Sequence, residues 1–226
     1  MVGKNVLITG VGRGIGLETC REFLKDKRIG KVVGTTRNPE QHPLSGEDRL
    51  TLIHSEFSLE EGVKRMISKI TDHLDSIDYI VLNAGVLVNK PLREQEWKDF
   101  SKTFTINAIA QPFMVGGLLD YMNKGAHVVT IGSVGGMTGT SKFPGLSTYS
   151  PSKAAIAVWS EVMAVEEEDY RFNTLALGAV NTEMLAEAFP GYEAAIGPND
   201  IATYIKDFTI EGGKYFNGKT LPVSVT

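Results

Sequence analysis

A phenol and an ammonium stand at positions i and i+4 in Tyr149-Ser150-Pro151-Ser152-Lys153, and the apolar continuation through Ile156, Val158, Trp159, Val162 and Met163 reads as helix. Residues so spaced share one helix face. A tyrosine with its ordinary pKa of about 10 needs help to move protons near neutrality, and an adjacent positive charge favours the phenolate. Lys153 can supply that charge. A Tyr-x-x-x-Lys match alone is equally a solvated helix pair, so its meaning depends on what the rest of the chain brings beside it.

The first candidate partner is a glycine turn. The apolar run Asn5-Val6-Leu7-Ile8-Thr9 reads as a strand and stops at Gly10-Val11-Gly12-Arg13-Gly14-Ile15-Gly16, after which a helical pattern begins. Strand, glycine turn and helix form the phosphate-binding order: the backbone approaches a pyrophosphate closely, and the free amides of the helix start attract its charge. The spacing is G-x-x-x-G-x-G through Gly10, Gly14 and Gly16, since Ile15 stands where G-x-G-x-x-G would need a small residue. The second strand, Lys31 to Arg37, ends about twenty residues further on, where an acid would grip the ribose 2'-hydroxyl of NAD. Thr36 and Arg37 occupy that position instead. A guanidinium in place of a carboxylate suits a 2'-phosphate, with Arg13 as a second clamp, so NADP(H) is expected and NAD(H) is the alternative.

Further strands deliver small polar residues to the same sheet edge. Leu50 to Phe57 reads as strand three, Tyr79 to Leu82 as strand four leading into Asn83-Ala84-Gly85, and His127 to Ile131 as strand five leading into Ser133. In open α/β sheets, ligands lie beyond the carboxyl ends of the strands. Ser58 with Glu61 suggests a capping box for the next helix, whose stripe of Val63, Met66, Ile67, Ile70 and Leu74 is core. Asn107 interrupts an apolar helical stretch, either to satisfy a kink or to hold a water. Strand six, Phe172 to Gly178, precedes Val180 and Thr182. Apolar residues Met184, Leu185, Phe189 and Tyr192 then suit a pocket lid. A helix from about Asn199 to Lys206 and a strand from Lys219 to Ser224 finish the chain. The Tyr149 helix is apolar on so many sides that it should cover the sheet and pack on a partner subunit.

Composition narrows the remaining classes. With 23 Lys and Arg against 27 Asp and Glu, the net charge of -4 leaves no basic footprint for nucleic acid. No apolar run approaches a membrane span and no secretory pattern opens the chain, so neither membrane nor export is expected and the protein reads as cytoplasmic. Cys20 lies on an amphipathic helix as a core thiol. His42, His54, His73 and His127 lack ligand spacing, so no metal site is expected.

Taken in order, Thr9-Gly10-x-x-x-Gly14-x-Gly16, Asn83-Ala84-Gly85, Asn107, Ser133, Tyr149-x-x-x-Lys153 and Gly178-x-Val180-x-Thr182 resemble the short-chain dehydrogenase/reductase family across almost the whole chain. The stretch Ile29 to Pro39 is similar, more loosely, to the branch that includes C-factor-like proteins and carbonyl reductases. The resemblance implies an α/β fold, a single Rossmann-type doubly wound parallel sheet of about seven strands in the order 3-2-1-4-5-6-7 with helices on both faces. It implies one domain, 1–226, holding both cofactor and substrate, and hydride exchange between a nicotinamide and a small-molecule carbonyl or alcohol.

Carried onto this chain, the resemblance makes Tyr149 the acid, Ser133 the group polarising the carbonyl oxygen, Lys153 the tuner of the phenol and holder of the ribose, and Asn107 the anchor of a water relay. The cofactor would meet Thr9, Gly10, Gly12, Arg13, Gly14, Ile15, Gly16, Thr36, Arg37, Glu56, Phe57, Asn83, Ala84, Gly85, Gly178, Val180 and Thr182. Glu56 replaces the family's usual adenine-contacting Asp. Leu177 replaces a proline, the Ser133–Tyr149 interval is longer than in most members, and the segment after Thr182 is short, which suggests an open site. The expectation is an NADP(H)-dependent reductase of a small, fairly apolar ketone or aldehyde, forming a homo-oligomer, dimer or tetramer. The alternatives are a non-catalytic NADP(H)-binding signalling or redox-sensing protein, and an alcohol or sugar dehydrogenase running the same site in reverse.

Overall fold

A computed structural model describes residues 3–224. Its strands are β1 (Lys4–Thr9), β2 (Ile29–Thr36), β3 (Leu50–His54), β4 (Ile77–Leu82), β5 (Met122–Ser133), β6 (Arg171–Leu177) and β7 (Lys219–Val223). They form one seven-stranded sheet in the order β3-β2-β1-β4-β5-β6-β7, parallel at every pairing. The order reverses between β1 and β4, which makes that crevice the switch point of the sheet.

Helices α1 (Gly14–Lys25), α2 (Glu60–His73), α3 (Trp97–Phe104), α4 (Ala110–Gly116), α5 (Tyr149–Glu166), α6 (Glu183–Ala188) and α7 (Pro198–Glu211) surround it. Neighbouring strand residues point to opposite faces. Leu7, Ile80, Leu82, Val128 and Phe172 therefore join Val63, Met66 and Ile70 of α2, Met114 of α4 and Trp159 of α5 in one core. Val6, Ile8, Val81, Val129 and Leu175 join Cys20 and Phe23 of α1 and Ile201, Ile205 and Phe208 of α7 in the other. With apolar residues on both faces, the strands lack alternation and read as continuous hydrophobic runs. Among the described residues no helix is long and apolar enough to cross a membrane.

Three local expectations are corrected. Strand β3 ends at His54, three residues before Phe57, whose ring turns into the core beside Val63 and Met66. Helix α2 starts at Glu60 behind an extended Leu59, with no side-chain cap and hence no box from Ser58. A Cβ on Gly62 would stand 2.5 Å from the Glu56 carbonyl, so close backbone packing holds the entry there. Strand β5 starts at Met122, earlier than His127, because exposed Asn123, Lys124 and Gly125, the last at φ 82, look like turn residues. Helix α5 covers the sheet through Ser152, Ile156 and Ser160, while Val158, Val162 and Val165 are 57%, 45% and 76% exposed.

His127 is a buried polar group on β5. Its Nδ1 lies 2.9 Å from the Thr209 carbonyl and its Nε2 2.9 Å from Asn173 Nδ2. Those partners require the Nδ1–H tautomer: the ring donates to Thr209 and accepts from Asn173. Burial pushes its pKa down to about 4. A base with a depressed folded pKa takes up its proton more readily when unfolded, so its contribution is present above about pH 6.5 and is lost as pH falls through about 4. Urea unfolding at pH 7 and pH 4 is expected to show a loss on the order of 2–3 kcal/mol from this residue. The His127→Gln variant should lack that share of the slope; an identical slope in both proteins refutes it.

Candidate active site

The glycine turn connects β1 to α1 as the strand–turn–helix pattern predicts, with Gly10 at φ 73 and Gly14 at φ 54. Gly16 answers a different need. A Cβ there would lie 2.1 Å from the Gly10 carbonyl oxygen and 2.4 Å from Asn83 Nδ2. Neighbouring elements lock the turn: His42 Nε2 donates to the Val11 carbonyl at 2.9 Å, and Gly10 N donates to Thr35 Oγ1 at 3.2 Å. Helix α1 has no side-chain cap and no acid in its first turn, so its leading amides stay available.

Thr9 is spent on the frame. Its hydroxyl accepts from Asn83 N and Ala84 N, each at 3.0 Å, and donates to Gln111 Oε1 at 2.9 Å. Gln111 in turn donates to the Ala84 carbonyl at 2.9 Å. Asn83 Nδ2 donates to the carbonyls of Thr9 and Gly10, each at 3.0 Å. The end of β4 is thereby pinned across the switch point, and Gly85 follows.

Ser133, the last residue of β5, accepts from Gly135 N at 3.2 Å, which fills a lone pair and leaves its O–H free to donate. Across from it, Tyr149 opens α5, and Lys153 Nζ reaches 5.8 Å from the centroid of the Tyr149 ring. Lys153 is 5% exposed and donates to the Ile131 carbonyl of β5 at 2.8 Å. The turn after Ser133 can meet α5 so closely because of Gly136, whose Cβ would strike Ala154 N at 2.9 Å. Burial pushes the Tyr149 phenol up to about 12, partly opposed by the Ser133 hydroxyl. Burial also pulls Lys153 down to about 8. At neutral pH the phenol holds its proton and the ammonium remains mostly charged.

Asn107 sits in a π turn, Thr105–Ile109, between α3 and α4. Pro112 lacks the N–H that would bond the Ala108 carbonyl, which accounts for the irregular turn. Both amide protons of Asn107 are spent, Nδ2 donating to the Val86 carbonyl at 2.9 Å and to Ser152 Oγ at 3.0 Å, while Oδ1 accepts from Val86 N at 2.9 Å and keeps a second lone pair. Ser152 Oγ donates its own hydrogen bond to the Tyr149 carbonyl at 2.7 Å. Asn107 thus ties the loop after β4 to the first turn of α5.

The other expected contacts scatter more. Arg37 is exposed at the end of β2, and Thr36 is buried with Oγ1 2.8 Å from where a Gly12 Cβ would stand. Arg13 is engaged by Glu187 of α6 through two hydrogen bonds, at 2.5 and 3.1 Å. Glu56 pairs with Arg65 of α2 at 2.5 Å, away from the glycine turn. Ile15, Leu177 and Val180 pack in the core on the α1 side. Gly178 N donates to the Val223 carbonyl at 2.9 Å, so the loop after β6 departs with its amide bonded despite the missing proline. Thr182 caps α6, its hydroxyl accepting from Leu185 N at 3.3 Å.

Three contacts join the loops around the site. Lys90 N donates to the Gly145 carbonyl at 3.0 Å, Asn89 Nδ2 donates to the Ala188 carbonyl at 2.6 Å, and the rings of Phe143 and Phe189 lie 5.9 Å apart. The long Ser133–Tyr149 interval therefore spans from the loop after β4 to the segment after α6. Gln111, Ser152 and His42 were not singled out in the sequence as parts of the site. Gln111 and Ser152 each follow a recognised residue at a helical spacing of three or four, Asn107 and Tyr149 respectively, and that periodicity was the available signal.

Comparison with known proteins places the fold in a family. Hydroxynaphthalene reductase arp2 of Aspergillus fumigatus is 26% identical over 192 residues, covering 82% of this chain and 69% of that protein. A dehydrogenase/reductase from Sinorhizobium meliloti superposes with a TM-score of 0.85 at 25% identity, covering 99% of this chain and 94% of the other. ElxO with NADP bound gives a TM-score of 0.82 at 26% identity over 98% and 97% of the two chains. Residues 4–193 match the family model described as short chain dehydrogenase, and the chain belongs to that family.

Proposed function

We propose that this protein is an NADP(H)-dependent reductase of a small, fairly apolar ketone or aldehyde. The convergence of Ser133, Tyr149 and Lys153 carries the reading: two hydroxyls with protons to give and one ammonium gather at the carboxyl edge of the sheet. When bound, the nicotinamide supplies hydride to the carbonyl carbon. Tyr149 Oη gives its proton to the carbonyl oxygen as charge develops there, and Ser133 Oγ donates a hydrogen bond to the same oxygen. The Lys153 ammonium favours the phenolate left behind. The place where a Gly85 Cβ would stand lies 3.3 Å from Asn107 Oδ1 and 3.6 Å from Lys153 Nζ. These two polar ends converge beside Gly85, and a water held near them would return a proton towards Tyr149, the relay assigned to Asn107.

The chain fits the cofactor. The turn from Gly10 through Gly12, Gly14 and Ile15 to Gly16, with open amides at the start of α1, suits the pyrophosphate. Asn83, Ala84 and Gly85 would hold the nicotinamide ribose and the backbone of Gly178, Val180 and Thr182 its carboxamide, while Glu56, held by Arg65, and the backbone beside the buried Phe57 would serve the adenine. NADP(H) is favoured by Arg13 and Arg37 and by the absence of an acid at the end of β2, and the NADP complex of ElxO supports it. Phe143, Phe189 and Met184 around the opening favour an apolar substrate, as the reductase named among the relatives does. The exposed Val158, Val162 and Val165 stripe of α5 suits contact with a second copy, giving a dimer or tetramer.

One preparation tests the reading. With a panel of ketones and aldehydes, kcat/KM is expected to favour NADPH over NADH by about tenfold or more, with Arg37→Ala eroding the preference. Equal efficiency with both cofactors refutes the NADP(H) assignment, and failure to oxidise NADPH with any carbonyl refutes the reductase. Light scattering returning the 24.6 kDa monomer mass at working concentration refutes the oligomer.

A further inference from the structure

The glycine turn and α6 meet through charge. Arg13, the residue just before α1, gives Nη1 to Glu187 Oε1 at 2.5 Å and Nη2 to Glu187 Oε2 at 3.1 Å. This is the fork geometry in which a guanidinium holds a carboxylate or a phosphate alike. Arg13 and then Arg37 hold the Glu187 carboxyl below its usual range, so Glu187 lies within the field of both arginines. One helical turn earlier, Glu183 brings Oε2 to 3.3 Å from where a Gly14 Cβ would stand, above the start of α1. Helix α6 therefore offers one carboxylate to the arginines and sets another beside Gly14.

We propose that Glu187 is a specificity-determining residue for the cofactor: it occupies Arg13 in place of a 2'-phosphate, and a cofactor bearing that phosphate displaces it and releases α6 from the glycine turn. The proposal rests on the NADP(H) reading above. The pair is exposed, with side chains 43% and 62% accessible, and such pairs hold weakly. A phosphate monoester with a charge of about -1.5 to -2 competes well against a single carboxylate. NADH lacks that group and can bind with the Arg13–Glu187 clasp intact. The two cofactors would then leave the lid over the substrate opening in different positions.

Equilibrium binding of NADPH, NADH and 2',5'-ADP to the wild type and to Glu187→Gln, Glu187→Asp and Glu183→Gln tests this without turnover. Glu187→Gln is expected to tighten NADPH and 2',5'-ADP by about three- to tenfold and leave NADH unchanged. Glu187→Asp keeps the charge and should stay near the wild type. Glu183→Gln, facing the pyrophosphate side, should tighten NADPH and NADH alike. Equal tightening of both cofactors by Glu187→Gln, or no change in either, overturns the role of Glu187 and leaves the NADP(H) reading standing. A wild type that binds NADH as tightly as NADPH and does not bind 2',5'-ADP overturns that reading, and this proposal with it.

Discussion

Replacing Tyr149 with Phe is expected to lower kcat for carbonyl reduction by about 10²- to 10⁴-fold while leaving NADPH affinity unchanged. The substitution removes one oxygen and keeps the ring against which Lys153 Nζ sits at 5.8 Å. The carbonyl oxygen would keep the Ser133 donor and lose its proton source, so the deficit belongs in the chemical step. pH gives a second signature. Lys153, pulled down to about 8 by burial, carries its charge below that pH and loses it above. The attraction that favours the phenolate fades with it, so kcat/KM should fall as pH rises through about 8, and the Lys153→Met variant should lack that limb. Undiminished turnover in Tyr149→Phe would sink the assignment of the acid.

Gly16→Ala should be nearly as damaging, for a reason of space alone. The new Cβ would stand 2.1 Å from one backbone oxygen and 2.4 Å from the Asn83 amide that bonds Thr9 and Gly10. The backbone oxygen cannot rotate away, so α1 must withdraw from β1, and Asn83 can step aside only by giving up its two carbonyls. The cost of such overpacking is about 1–3 kcal/mol, and the turn loses the shape that a pyrophosphate needs. NADPH affinity should fall by roughly 10- to 100-fold, a figure of the same size as that strain. Calorimetric binding at wild-type affinity, in a protein of unchanged Tm, would refute the steric argument.

The sheet order and the edge at which Ser133, Tyr149 and Lys153 gather were legible because glycines, small polar residues and buried apolar strands recur in a fixed order. What escaped was set by tertiary contacts that leave no local pattern. The early start of β5 is hidden by Asn123, Lys124 and Gly125, which pair or turn while exposed. Ser58 and Glu61 have a capping spacing, yet packing of Gly62 on the Glu56 carbonyl decides where α2 begins. The apolar periodicity of α5 reports hydrophobicity but not what covers it, and on this chain three valines remain exposed. Arg13 was read as a phosphate clamp from its place in the turn. Its partner Glu187 is far away in sequence, and only the position of α6 brings the two together.

The reversal of strand order between β1 and β4 also has a consequence in time. Strands β1, β2 and β3 pair with one another within the first few dozen residues made, Leu7 on Val33 and Val33 on Thr51. The other edge of β1 must wait for Tyr79, Ile80 and Val81. Long-range parallel pairings carry the larger closure cost. The strands beneath the glycine turn therefore have partners close by in the sequence on all but one edge of β1. The strands on the other side, among them β5 with Ser133 at its end, find their partners at greater separation, and β6 has its second neighbour only in Lys219 to Val223.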